Sequence, residues 1–325
     1  MKVAVVGAGR MGQLHARLLT SAKAVSELVV ADADVDQAKT VAEGLGAEVA
    51  SDPMDALESV DAAVIATPAE THAVLVKAAV GRGCPVLCEK PLAENLAAAI
   101  ELADYVDGAG VLVKVGFQRR FDYGYRAARA AVIEGRLGRL YLMRLQVTEP
   151  GRPPSPKTNL FRNTAIHDFD LVRWLSGEEV LSVYVDGADR DRHVFDPRFD
   201  PDTIVASLRL TGGVLAAVTV TRLSPLGYDV RAELVGSHDH IAVGCSERTP
   251  VRSVERNSRP IGSERWSSWQ VRFEEAYRNE VTGFLEAVAG GADSGAGVRE
   301  AVEAHRIADA ARKSLEQGLP VTLER

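Results

Sequence analysis

Lys90 follows the apolar run Pro85-Val-Leu-Cys88 and Glu89, and precedes Pro91. An ammonium at the end of such a strand, held out of helix by the proline, can hydrogen-bond a hydroxyl and stabilise the alkoxide formed as that hydroxyl is oxidised. A second cluster runs from Arg162 to Leu175, in which Asn163, His167, Asp170 and Trp174 recur at intervals of four, three and four. That spacing puts them on one stripe of an α-helix. Proton removal from a secondary alcohol suits an imidazole, whose pKa lies near neutrality, so His167 is the expected proton acceptor. The same residues also fit ordinary structure: Lys90 at a strand terminus, Asn163 as a helix N-cap, His167 at the edge of a core, and Asp170 and Arg173 as surface charges.

The N-terminus favours chemistry. Lys2-Val-Ala-Val-Val6 is a strand-sized apolar run that enters Gly7-Ala8-Gly9-Arg10-Met11-Gly12 and then an amphipathic stretch. A dinucleotide needs that order. Gly7 permits the tight turn, Gly9 admits a pyrophosphate to the backbone, Gly12 lets helix and strand pack closely, and the N–H groups around Arg10 and Met11 face the anion. Glu27 to Ala31 forms a second apolar strand ending on Asp32, twenty residues past Gly12. A carboxylate there accepts ribose hydroxyls and repels a 2′-phosphate, so NAD rather than NADP is the expected cofactor.

To position these residues the chain must alternate strand and helix. Strands are expected near 2–6, 27–31, 47–50, 61–66, 84–88 and 111–116 with helices between them, a parallel, doubly wound Rossmann sheet in an α/β fold. Ligands of such sheets sit beyond the carboxyl ends of the strands, which directs Thr67, Pro68, His72, Glu89 and Lys90 toward the cofactor. After Phe117 the pattern changes. Helices are expected at 123–134, 164–175, 273–289 and 298–317, with strands near 139–148, 180–185, 203–210, 214–221, 230–235 and 240–243, several alternating apolar and polar residues as in a largely antiparallel sheet with one covered face. The 325 residues divide on this basis into a dinucleotide-binding domain, 1–118, and a substrate-binding and oligomerisation α+β domain, 119–325. Gln118 and Arg119, at the crossing, are candidate ligands by position. The prolines of 149–156 exclude regular structure, the loop 149–161 is expected to read the substrate's hydroxyls, and 290–297 has the composition of a flexible linker.

A net charge of −7 without a basic run argues against nucleic acid or an anionic membrane as partner. Hydrophobic and charged contents of 46% and 26%, with no membrane-length apolar span and an apolar N-terminus continuing straight into the glycine loop, fit a cytoplasmic protein. Cys84, Cys88 and Cys245 form neither a disulfide framework nor a zinc cluster, and His238-Asp239-His240 lacks a third ligand nearby, so no metal is expected.

The chain resembles the glucose-fructose oxidoreductase and inositol dehydrogenase (Gfo/Idh/MocA) family over nearly its whole length. The resemblance rests on Gly7-x-Gly-x-x-Gly12-x-x-His15, Ala66-Thr67-Pro68 with His72, Glu89-Lys90-Pro91-Leu92, Gly116-Phe117-Gln118-Arg119-Arg120-Phe121-Asp122, Ile166-His167-Asp168-Phe169-Asp170 before Trp174-Leu175, Gly227-Tyr228-Asp229 and Ala276-Tyr277-Arg278-Asn279-Glu280. It is most similar to the inositol 2-dehydrogenases. That resemblance implies a catalytic pair of Lys90 and His167, polyol binding by Thr164 and Tyr228, and a dimer or tetramer supported by the antiparallel sheet. Asn163 stands where the subfamily has an aspartate. An amide there can hold a hydroxyl but takes no proton, which widens the substrate range to other cyclitols, amino-cyclitols, hexoses and sugar phosphates. The expected activity is hydride transfer between NAD and a secondary hydroxyl, or the matching ketone, of a cyclitol or sugar. The alternatives are a sugar or sugar-phosphate dehydrogenase or ketoreductase of the same family, an NAD-dependent glycoside hydrolase that recycles its cofactor, and a regulator that binds NAD without turnover.

Overall fold

The apolar runs of the first third become strands covered on both faces, and the polar residues that end them become turns. In the computed structural model, which describes residues 1–151, 159–190, 200–256, 264–292 and 294–323, the chain begins β1 (Lys2–Val6), α1 (Arg10–Thr20), β2 (Glu27–Ala31), α2 (Val35–Glu43), β3 (Glu48–Val49), β4 (Ala62–Ile65), α3 (Ala69–Val80), β5 (Val86–Glu89), α4 (Leu96–Ala109) and β6 (Val113–Gly116). Val3 to Val6 and Ala62 to Ile65 are wholly buried, as central parallel strands between two helical layers require. A 3₁₀ turn (Gln118–Phe121) leads to α5 (Tyr123–Ile133), β7 (Leu140–Thr148), a π-helical turn (Phe161–Ala165), α6 (Ile166–Ser176), β8 (Val180–Ala188), β9 (Thr203–Leu210), β10 (Leu215–Thr221), β11 (Asp229–Gly236), β12 (His240–Val243), α7 (Trp269–Val288), β13 (Ala296–Gly297), α8 (Val298–Gln317) and β14 (Val321–Thr322).

Two compact units result: Met1–Phe121 with Glu275–His305, and Asp122–Glu274 with Arg306–Arg325. The sequence division at 118/119 kept everything after the crossing together. In the structure residues 275–305 group with the first sheet, because β13 adds to it as an antiparallel edge strand, Ala296 opposite Val115 and Gly297 opposite Lys114. The expected linker 290–297 therefore contains a strand. The first sheet runs β13-β6-β5-β4-β1-β2-β3, with β1 to β6 parallel. Its order reverses between β1 and β4, the switch point at which open α/β sheets take ligands.

The second sheet runs β12-β11-β7-β10-β9-β8-β14 and is antiparallel apart from the parallel pair β7 and β10. Alternation decides its faces. Met143, Leu145, Val147, Ile204, Ala206, Leu208, Ala216, Val218 and Val220 are at most 1% exposed, whereas Tyr184, Val205 and Leu215, on the other face, are exposed. Among the described residues no helix is long and apolar enough to cross a membrane.

Candidate active site

The glycine loop of the first unit is held by close backbone approaches. Gly7 has φ +103°, and a Cβ there would lie 2.7 Å from the carbonyl carbon and oxygen of Ala66; a Cβ on Gly12 would lie 1.7 Å from the Gly7 oxygen. Both positions exclude a side chain on internal grounds. Gly9 is different, since a Cβ there would meet nothing within 4 Å. Space is open beside the first turn of α1, whose N-cap, Gly9, makes no side-chain capping bond. Arg10 is exposed and Met11 half-buried on that turn. The N-cap of α3, Pro68, likewise makes no such bond, whereas Asp34, Asn95 and Asp122 cap α2, α4 and α5. The uncapped N–H groups of α1 beside open space suit a pyrophosphate.

Asp32 anchors the loop from the end of β2. Its Oδ2 accepts from Ala8 N at 2.6 Å and its Oδ1 from Asp34 N at 2.9 Å. A carboxylate has about four acceptor sites, so lone pairs remain for ribose hydroxyls. Gln13 and Gln37 add to the anchoring, their Nε2 donating to Ala8 O at 3.1 and 2.8 Å. These residues fit the adenosine and pyrophosphate of NAD.

Two histidines fix the strand ends that present Lys90. His72, 1% exposed, sets Nε2 2.8 Å from Thr67 O and Nδ1 2.9 Å from Pro91 O, joining the ends of β4 and β5. Burial holds this imidazole below its ordinary 6.5, against the two carbonyls, which favour the protonated ring. Thr67 is half-buried and its Oγ1 accepts from Thr71 Oγ1 at 2.7 Å. His15, fully buried, makes a 2.7 Å contact from Nε2 to Oε1 of Glu89. Lys90 is half-buried at the end of β5, and its bond to Pro91 is cis. Gln118, 3% exposed, has an Oε1 without a hydrogen-bond partner among the described residues, an acceptor suited to a hydroxyl.

In the second unit α6 is buried almost all round. Ile166, Phe169, Val172 and Leu175 are at most 1% exposed, as the apolar period predicts. Asp170 is also buried, at 1%, and Arg173 pairs with both oxygens of Glu179 at 2.6 Å, so neither is a surface charge. Residues 161–165 form a π-helical turn ahead of α6, in which Asn163 is exposed while Thr164 and His167 are 3% and 7% exposed. Asn163 is no N-cap either; its N–H donates to Asn159 O at 2.7 Å. Thr164 Oγ1 donates to Glu149 Oε1 at 3.3 Å and keeps its lone pairs for a further hydroxyl. Tyr228, 5% exposed, packs edge-on against Phe273 with centroids 6.3 Å apart. It follows Gly227 at φ +134°, whose Cβ would collide with Trp266 O at 2.6 Å. The proline-rich segment at 152–158, part of the loop expected to read the substrate, lies outside the described residues.

Comparison with known proteins extends over nearly the whole chain. Residues 1–117 match the family model of GFO/IDH/MocA oxidoreductases with an NAD-binding Rossmann fold, and residues 125–242 match the GFO/IDH/MocA C-terminal domain. The chain is 38% identical to a myo-inositol dehydrogenase of Streptomyces leeuwenhoekii, over 98% of both chains. Among solved structures, the myo-inositol dehydrogenase of Corynebacterium glutamicum superposes with a TM-score of 0.89 at 29% identity, covering 100% of this chain and 99% of that one. The Lactobacillus casei myo-inositol dehydrogenase, in complex with NAD(H) and myo-inositol, gives 0.87 at 25% identity, covering 100% and 97%. The chain belongs to the Gfo/Idh/MocA family of NAD-binding oxidoreductases.

Proposed function

We propose that the chain uses NAD to oxidise a secondary hydroxyl of a cyclitol ring, with Lys90 holding the reacting oxygen and His167 taking its proton. The observation that carries this reading is the strand-end arrangement of the first unit. The sheet whose glycine loop fits NAD also presents a half-buried lysine, on a strand end tied through His72 to its neighbour. NAD, when bound, supplies the hydride acceptor. The Lys90 ammonium donates a hydrogen bond to the carbinol oxygen and stabilises the charge that grows there. His167 accepts the proton at a ring nitrogen and returns it when a ketone is reduced. Thr164, Tyr228, Asn163 and Gln118 hold the neighbouring hydroxyls. Two supports for the substrate class are the likeness to myo-inositol dehydrogenases and the exposed amide of Asn163, which can donate to and accept from a ring hydroxyl.

The exposed face of the second sheet, with Tyr184, Val205 and Leu215 among polar neighbours, supports a homodimer or homotetramer, and the cytoplasm is the compartment that fits its composition. The test is a panel of inositols, amino-cyclitols, hexoses and their phosphates, assayed for coenzyme reduction with NAD and NADP separately. Turnover of at least one cyclitol with NAD favoured is the expected result. No reduction with any cyclitol would overturn the substrate class, and equal use of NADP would overturn the Asp32 contact.

A further inference from the structure

Glu149 follows β7 in the second unit, and the reaction above gives it no part. Its main chain is fixed on both sides: the N–H donates to Thr221 O at 2.9 Å, and the carbonyl accepts from Ser224 N at 2.8 Å. The antiparallel ladder of β7 and β11 sets its neighbour. Thr148 stands opposite Asp229, so Glu149 and Tyr228 are the residues that leave that end of the ladder side by side. From the turn before α6, Thr164 Oγ1 donates to Glu149 Oε1 at 3.3 Å. A half-buried carboxylate therefore stands among the side chains proposed to hold the polyol, on a backbone that the sheet keeps in place.

This carboxylate is short of donors. The Thr164 hydroxyl is its one side-chain partner among the described residues, and no arginine or lysine of those residues pairs with it. Cations on the neighbouring elements are engaged with other acids. Arg222, just past β10, pairs with Asp200, and Arg162 of the π-helical turn pairs with Asp309 at 2.8 Å. Arg231 of β11 pairs with Asp229 at 3.0 Å, and Asp229 also accepts from Gln146 of β7 at 3.1 Å. A carboxylate has about four acceptor sites, and Thr164 fills one. An ammonium is held there by a charge-assisted bond, stronger than the bond from a neutral hydroxyl, while a phosphate meets a like charge.

We propose that Glu149 is a specificity-determining residue: its carboxylate prefers an ammonium substituent to a hydroxyl on the ring held by Thr164 and Tyr228, and it excludes a phosphate. The substrate class of the site is then the amino-cyclitols. The proposal rests on the reading of the second unit as the holder of a cyclitol.

Ligand binding to the full chain saturated with NADH tests this without turnover, through the change in coenzyme fluorescence. The probes are myo-inositol, the inosamines in which each hydroxyl in turn is replaced by an amine, and the inositol monophosphates. At neutral pH the best inosamine should bind about tenfold more tightly than myo-inositol, and the monophosphates about tenfold more weakly. Glu149→Gln keeps an acceptor for Thr164 and should bring all of these to within about threefold of one another, with the affinity for NADH unchanged. A second measurement needs no variant: in the wild type the inosamine preference should fade as pH rises past the pKa of the ligand's own amine. A panel in which no inosamine is preferred, or a preference that survives in Glu149→Gln or on the deprotonated amine, would overturn the role of Glu149. Inositol oxidation without any inosamine preference would leave the reaction standing and remove Glu149. An inosamine preference that depends on Glu149, in a protein that oxidises no ring, would uphold the residue's role while overturning the proposed reaction.

Discussion

The glycine loop of the first unit and helix α6 of the second are built from different materials. The loop is backbone: Gly7 and Gly12 approach other carbonyl groups so closely that no Cβ fits, and Asp32 and His72 bind main-chain N–H and carbonyl groups. Helix α6 is side chain: its geometry comes from apolar packing, and of the polar groups at its start Thr164 and His167 are buried while Asn163 is exposed. A backbone site tolerates almost no change at its glycines but announces itself in sequence, because only glycine will do. A side-chain site tolerates substitution yet is visible only through its period, which one extra residue per turn disrupts.

The strongest effect follows from this contrast inside the loop itself. Gly12→Ala places a methyl 1.7 Å from the Gly7 oxygen, which α1 can relieve only by moving off β1. A loss of about 3 kcal/mol or more in urea unfolding is expected. Gly9→Ala has open space and an ordinary φ of −69°, so its stability should stay within about 0.5 kcal/mol of wild type while NADH affinity, read by fluorescence titration, falls. If the two variants lost stability equally, Gly9 would not be the cofactor's approach.

Next in size are the two proposed reacting groups. Lys90→Ala and His167→Ala should each lower kcat by about 10²–10⁴-fold while leaving NADH binding near wild type. The expected difference between them is in pH dependence: Lys90→Ala removes an alkaline limb and His167→Ala an acid one. A His167→Ala enzyme with an unchanged profile would assign the proton to another group.

Strand positions in the first unit were legible because β1, β2 and β4 are mainly apolar runs followed within three residues by glycine, aspartate or proline. Expected 27–31 is observed at Glu27–Ala31, and 111–116 at Val113–Gly116. The same logic places Thr67 and Lys90 just past the ends of β4 and β5, and His72 in the helix that follows β4. What stayed hidden depends on distant partners. β13 has two residues and no pattern of its own, and alternation says nothing of the parallel pairing between β7 and β10. The apolar period of α6 carries no mark of the π turn upstream. Glu149 did leave a trace. It opens the loop 149–161 expected to read the substrate's hydroxyls, but nothing in the sequence joins it to Thr164, 15 residues on.

His72 gives a smaller effect with a definite sign. Its folded-state pKa lies below the ordinary 6.5, so the unfolded chain binds more protons as pH falls, and stability declines with pH beneath that value. Above it the contribution is fully present. His72→Gln, which keeps one donor, should flatten the pH dependence of the urea midpoint below 6.5 and cost about 1 kcal/mol at neutral pH through the lost tie between Thr67 and Pro91. An unaltered pH dependence would mean that another group governs acid unfolding.

The smallest structural effect belongs to Asn163, and its value lies there. Because this side chain is exposed, Asn163→Asp should change stability by less than about 0.5 kcal/mol. Any change in turnover is then a change in recognition. A carboxylate can accept a proton and favours a charged imidazole nearby, which an amide does not. If Asn163 sets the substrate range, kcat/KM for myo-inositol should rise relative to the best cyclitol or amino-cyclitol of the panel, and by more at lower pH. A ratio that stays constant across the panel would show that the hydroxyl pattern is read elsewhere, with Thr164 and Tyr228 the next side chains to vary.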